Sequence, residues 1–208
     1  MDAHRCSIIE WGWAGEALDE SPEGRDSGDL HLVAPFPDGA LVALIDGLGH
    51  GTEAAAAARA AARVLEAHPG ESVLTLVERC HEDLRKTRGA VMSLASFRAS
   101  ESSMTAIGVG NVEGVLLRSN PVAERRREDL SLRGGIVGYR LPPLRATAVS
   151  VSRDDTLIMA TDGVGHGFTT DLNLARSPQE IADTILARHR KRSDDALVVV
   201  VRYLGRSA

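Results

Sequence analysis

Hydrophobic positions fall into runs of two periods along the chain. Cys6 to Ala14 reads as a strand, and Leu30 to Phe36 with Ala40 to Ile45 as a strand pair turned by Pro37-Asp38-Gly39. Ser21 to Ser27, with Pro22, Gly24 and three charges, reads as a loop. The period then lengthens. Thr52 to Ala67 is an alanine-dense helix, and Ser72 to Arg85 sets Val73, Leu76, Val77, Cys80 and Leu84 at helical spacing, with Pro69-Gly70 between the two. Strands return at Val91–Phe97, Met104–Val109, Val112–Arg118, Ala146–Val151 and Thr156–Thr161, interrupted by a polar stretch from Ser119 to Arg133. Ser177-Pro178-Gln179-Glu180 is a capping box with proline at the first helical position, and it opens a helix with Ile181, Ile185 and Leu186 on one side. Ala196 to Val201 is an unbroken β-branched-rich run and reads as a buried strand.

This order lacks the strand–helix alternation of a parallel α/β sheet. Short turns between consecutive strands predict antiparallel sheets with helices on their outer faces. Composition narrows the class further. The 208 residues suit one domain over 1–208, with a core of its own. A net charge of −5 and 3% aromatics argue against nucleic-acid and anionic-membrane binding. Lys86 and Lys191 are the only lysines among 24 basic residues, which reads as a bias toward arginine rather than a binding signal. Cys6 and Cys80 are far apart and form no metal-binding spacing, so a reducing setting is expected. No signal peptide opens the chain, and no apolar run approaches the ~18 residues of a membrane span. A soluble, cytoplasmic monomer is expected.

The chemistry is carried by a doubled hexapeptide. Asp-Gly-x-Gly-His-Gly runs from Asp46 to Gly51 and again from Asp162 to Gly167, each time after an apolar run. One Asp-Gly after a strand is an ordinary turn signal. Two extended copies at strand ends place carboxylates at sheet tips, where glycines let the backbone turn. With Ser27-Gly28-Asp29 upstream and Ser193-Asp194-Asp195 downstream, they suggest one four-carboxylate site. Two carboxylates ~4 Å apart repel by roughly 4 kcal/mol at an effective dielectric near 20. Such a cluster takes up protons or cations, and oxygen-only ligands favour Mg²⁺ or Mn²⁺ over zinc.

These segments resemble the metal-dependent Ser/Thr protein phosphatases, the PPM family, and most closely its bacterial SpoIIE-like branch. The likeness runs through Ser27-Gly28-Asp29, Ala43 to Gly51, Ile107 to Leu116, Gly134 to Gly138, Met159 to Val164 and Ser193 to Val199. It implies a four-layer αββα sandwich of the α+β class: two antiparallel β-sheets flanked by helix pairs, with the acids between the sheets at one end. It also implies two divalent ions, Mn²⁺ or Mg²⁺, and catalysis through Asp46 and Asp162 by metal-activated water, without a covalent nucleophile. Asp46 would bridge the ions and the Gly47 carbonyl would add a ligand. Asp29 would complete one metal site, and Asp162 with Asp194 would hold the other. Asp194 is preferred to Asp195 because the family ligand is the first of the pair. The implied substrates are phosphoserine and phosphothreonine on signalling proteins of the stressosome scaffold type, with Ser119 to Arg133 the first candidate for specificity contacts. The phosphate-gripping arginine of eukaryotic relatives has no match; Arg5 is a poor candidate.

Competing readings are weaker. Gly47-x-Gly49-x-Gly51 has Thr52 where a dinucleotide loop needs glycine, and its strand-end aspartate would repel a pyrophosphate. His50 and His166 read as turn-closing residues rather than acid–base catalysts, and Arg125-Arg126-Arg127 as a solvated loop. A catalytically inactive binding module and a hydrolase of small phosphoesters remain as alternatives. Retention of all four carboxylates favours the phosphoprotein phosphatase.

Overall fold

The computed structural model describes residues 4–18, 27–120, 122–123 and 125–205, so the expected loop at Ser21–Ser27 lies outside it except for Ser27. The first strand segment is a small hairpin. β1 (His4–Arg5) turns onto β2 (Ile9–Glu16), with the Cys6 N–H donating to the Ile9 carbonyl at 2.9 Å. β3 (Asp29–Phe36) and β4 (Gly39–Gly47) pair along their whole length, from Asp29 opposite Asp46 to Phe36 opposite Gly39. α1 (Thr52–Ala67) and α2 (Val73–Asp83) follow, the second capped by the Ser72 side chain accepting from Thr75 N–H and ending in a 3₁₀ turn at Leu84–Lys86.

The remaining elements are β5 (Ala90–Arg98), β6 (Ser103–Val109), β7 (Glu113–Leu117), β8 (Arg127–Asp129), β9 (Leu132–Arg133), β10 (Thr147–Ser150), β11 (Thr156–Ala160), α3 (Pro178–His189) and β12 (Ala196–Tyr203). One sheet has the order β1-β2-β12-β11-β7-β8 and the other β10-β6-β5-β4-β3. All these pairings are antiparallel. β9 adds a two-residue parallel pairing to β6, the one departure among the described residues from the all-antiparallel expectation.

Side-chain alternation builds the layers. In β4, Ala40, Val42 and Leu44 face the opposite sheet, while Leu41, Ala43 and Ile45 face the helices. Ala57, Ala58 and Ala61 of α1 are buried there, and their small side chains let the helix lie close on the sheet. On the other outer face, Ile181 and Ile185 of α3 cover Ile158, Val198 and Val200. The layers are therefore α, β, β and α, but unequal. Among the described residues α3 has no helical partner; Phe168, Leu172 and Leu174, from the segment after the second hexapeptide, fill the rest of that face. The expected second pair fails because Gly163 to Ser177 carries three glycines, Thr169-Thr170, Asp171 and Asn173, residues that favour turns over a helix even though Val164, Phe168 and Leu172 are spaced four apart.

Two boundaries move for legible reasons. β12 runs two residues past Val201 because Arg202, which breaks the apolar run, reaches outward to Glu10 and to the Leu174 carbonyl (2.8 Å). Ser119 to Arg133 is not simply a polar loop, since it contains β8 and β9 and sends Leu130 onto the inter-sheet core. Arg127 stands in β8, donating to Asp129 (2.6 Å) and Thr169 (2.7 Å), rather than in a solvated loop.

Candidate metal centre

Four chain segments end at the same edge of the sandwich: the start of β3, the end of β4, the end of β11 and the start of β12. Asp29 and Asp46 are direct cross-strand partners in the register of β3 and β4. Both fall on the phase of their strands that faces the opposite sheet, with Val33 of β3 and Leu44 of β4. Their nearest counterpart there is Thr161, just past β11. Its hydroxyl donates to Asp29 Oδ2 at 2.7 Å and accepts from the Leu197 N–H at 2.9 Å, while its own N–H donates to the Leu197 carbonyl. Thr161 thus links one sheet to the acid of the other, and it is buried.

Asp162 follows directly, exposed at the mouth. Asn111, in the turn after β6, donates from Nδ2 to Asp162 Oδ2 at 2.7 Å, which fixes one oxygen of the carboxylate. Lys191 donates from Nζ to the Asp162 carbonyl at 2.7 Å, and its backbone N–H donates to the Gly163 carbonyl at 2.8 Å.

The paired acids before β12 have different surroundings. Asp195 Oδ1 accepts from Leu18 N–H (2.6 Å), and Oδ2 accepts from Ser27 Oγ (2.9 Å) and Gly28 N–H (2.8 Å). Asp194 is exposed and accepts from Asp195 N–H at 2.9 Å. Both oxygens of Asp195 are engaged with the segments flanking 19–26, whereas Asp194 keeps a carboxylate directed outward.

The electrostatics of the cluster favour its neutral forms. Burial, and then the charge of Asp46, push the Asp29 carboxyl up to about 8 against the opposing Thr161 hydrogen bond. Burial, and then Asp162 and Asp194, push Asp46 up to about 7. Asp194 is also held above the ordinary range, chiefly by burial, although the Asp195 N–H and Lys191 oppose the shift. Near neutral pH Asp29 and Asp46 hold protons unless a cation replaces them. Among the described residues no three Asp, Glu, His or Cys side chains close on one point. An open set of hard oxygen donors fits a cation that keeps much of its water, as Mg²⁺ does, and not a closed tetrahedral cage.

Of the residues singled out from sequence, Asp29, Asp46, Gly47, Asp162, Asp194 and Asp195 converge on this end. Arg5 does not; it lies on the edge strand β1, with two strands between it and β11. His50 and His166 stand in exposed turns, and His166 pairs with Glu113 at 3.3 Å. The sequence reading gave no role to Thr161, Asn111 or Lys191. Thr161 and Asn111 lie within motif segments, whereas Lys191 carries only the signal of being a rare lysine.

Comparison with known proteins places this arrangement in a family. Residues 37–204 match the model of Stage II sporulation protein E (SpoIIE), a span that includes Asp46, Asp162 and Asp194 and begins after Asp29. The chain is similar to the phosphoserine phosphatase RsbX of Bacillus subtilis (strain 168), with 25% identity over 180 residues, 86% of this chain and 88% of that one. It superposes on a chain solved in work on the bacterial stressosome with a TM-score of 0.82 and 28% identity, covering 93% of this chain and 99% of the other. RsbX in complex with magnesium has the same fold, with a TM-score of 0.84 at 20% identity and coverage of 97% and 98%. The chain belongs to the SpoIIE family and has the sandwich of the metal-dependent protein phosphatases.

Proposed function

We propose that this protein is a metal-dependent phosphoprotein phosphatase that removes phosphate from phosphoserine or phosphothreonine on signalling proteins, stressosome scaffold proteins foremost. The observation that carries the reading is the meeting of two sets of strand-end acids across the sheet gap. Asp29 lies opposite Asp46, and Asp162 faces them through the Thr161 link. The phosphoserine activity named for the RsbX relative and the magnesium in the solved RsbX complex support both the reaction and the class of ion.

Asp46 and the Gly47 carbonyl would hold two divalent ions from one sheet, Asp162 and Asp194 would hold them from the other, and Asp29 would complete the first site. When bound, such ions supply Lewis-acid stabilisation of the phosphoryl oxygens and a water acidic enough to attack near neutral pH. The protein's own share is orientation. Asn111 fixes the rotamer of Asp162, Thr161 fixes Asp29, and Asp195 anchors the residues on either side of 19–26.

The test is phosphate release from a phosphoserine protein. Mn²⁺ or Mg²⁺ should be required and chelator should abolish turnover. Asp46→Ala and Asp162→Ala should each cost on the order of a thousandfold in kcat/KM, because each removes metal together with transition-state charge stabilisation. Full activity in Asp46→Ala would remove the proposal. Equal preference for a small aryl phosphate would redirect it to small-ester hydrolysis, and no turnover on any substrate would favour the binding module.

A further inference from the structure

The second hexapeptide is backed by a lysine, whereas the cation beside the first, Arg88 at Gly49, is paired with Glu53. After α3 the chain runs antiparallel to the Asp162 loop. Gly165 N–H donates to the His189 carbonyl at 2.7 Å, Val164 bridges Arg190, and Lys191 N–H donates to the Gly163 carbonyl at 2.8 Å. These backbone bonds already hold the loop. The Lys191 ammonium is therefore an addition to the clamp. It spends one N–H on the Asp162 carbonyl (2.7 Å), is exposed at the mouth, and acts electrostatically on Asp194.

Its chemistry suits an incoming anion. A chain that uses arginine for 22 of its 24 basic residues has lysine here. An ammonium is a compact charge with three donors, so it can keep one bond to a carbonyl and direct the others elsewhere. Charge balance leads to the same place. Asp29, Asp46, Asp162, Asp194 and Asp195 carry five negative charges when ionised, and two divalent ions offset four of them. The Lys191 ammonium offsets the fifth, so an arriving phosphate dianion meets a neutral site instead of an anionic one.

We propose that Lys191 is a phosphate-binding residue: anchored on the Asp162 carbonyl, it donates its remaining N–H groups to an oxygen of the substrate phosphate on the Asp162–Asp194 side. This rests on the metal-dependent phosphatase reading given above.

The experiment measures binding of inorganic phosphate and of Mn²⁺ separately by calorimetry, on the whole chain and on Lys191→Met and Lys191→Arg. Lys191→Met keeps the apolar stem and loses the charge. Phosphate binding to the Mn²⁺-loaded Lys191→Met protein should weaken about tenfold, near the low end of what a charge-assisted hydrogen bond contributes. Mn²⁺ affinity should stay equal or rise, because a repelling cation has left, and Lys191→Arg should recover part of the phosphate affinity. KM for a phosphoserine protein should rise more than kcat falls. Unchanged phosphate affinity would overturn the assignment. A parallel loss of Mn²⁺ affinity would also overturn it, since that is the signature of a loop clamp. If the unaltered protein binds Mn²⁺ and phosphate but turns over nothing, the phosphatase reading fails while the binding result still decides the role of Lys191.

Discussion

Thr161 connects the sheets at the scale of a single hydroxyl. Its oxygen accepts from a buried backbone N–H and donates to an acid whose neighbours oppose its ionisation, so it is satisfied on both sides. Thr161→Val keeps the shape, strands the Leu197 N–H, and takes from Asp29 the bond that favours its charged form. The expected loss is about 1–3 kcal/mol of unfolding free energy, read by denaturant titration without metal, together with weaker Mn²⁺ binding. A variant as stable as the parent would show that the bridge contributes nothing. The acids themselves were legible in the sequence because Asp-Gly recurs at the ends of two apolar runs. Thr161 was not, since a threonine closing a strand is ordinary and only the register of β11 with β12 turns its hydroxyl toward Asp29.

At the scale of elements, the doubled hexapeptide is two different structures. Gly51 is the N-cap of α1, so the first copy turns into a helix; the second leads into the irregular segment around Phe168. Both copies use their first glycine, at the second position, for close approach rather than for an unusual dihedral. A Cβ on Gly47 would lie 2.1 Å from the Ala54 carbonyl oxygen, and one on Gly163 would lie 1.8 Å from that of Asp195. The fourth position differs: Gly49 has φ +90, whereas a Cβ on Gly165 would come only within 3.2 Å of the His189 carbonyl oxygen, with no positive φ. Gly163→Ala should therefore destabilise by about 1–3 kcal/mol or more, as overpacking against fixed backbone does, while Gly165→Ala should cost clearly less. Paired thermal melts compare the two, and equal losses would mean that Asp195 can move away. Sequence supplied the repeat and the strands leading into it. It could not supply the divergence, because glycine looks the same whether it answers to φ, to a helix cap or to a neighbouring carbonyl. The same limit explains β8 and β9, short strands in which Leu132 is the one apolar residue, with Leu130 between them.

For the whole molecule, the acids lie where the two sheets meet, so their ionisation bears on how the sandwich holds at that end. The Asp29 and Asp46 carboxyls, ordinarily near 3.8, are raised to about 8 and about 7, chiefly by burial, then by the charge of Asp46 on Asp29 and of Asp162 and Asp194 on Asp46. The folded state thus holds these protons more tightly than the unfolded chain does. Their contribution to stability is fully present below about pH 4 and is lost as pH rises through 7 and 8, at up to roughly 1.4 kcal/mol per pH unit for each group. Divalent metal inverts the trend, because it binds the ionised acids and stabilises only the folded arrangement. In chelator, the melting temperature should fall between pH 5 and pH 8. In saturating Mn²⁺ it should hold or rise over the same interval, so that the two curves separate with pH. Asp46→Asn supplies the control. It removes one titrating acid, should flatten the metal-free curve and raise its value at pH 8, and should lose most of the response to Mn²⁺. A metal-free parent whose stability rises from pH 5 to pH 8, with Asp46→Asn following it in parallel, would show that these carboxyls are charged in the folded protein without a cation. The need for metal at this end of the sandwich would then have no electrostatic basis.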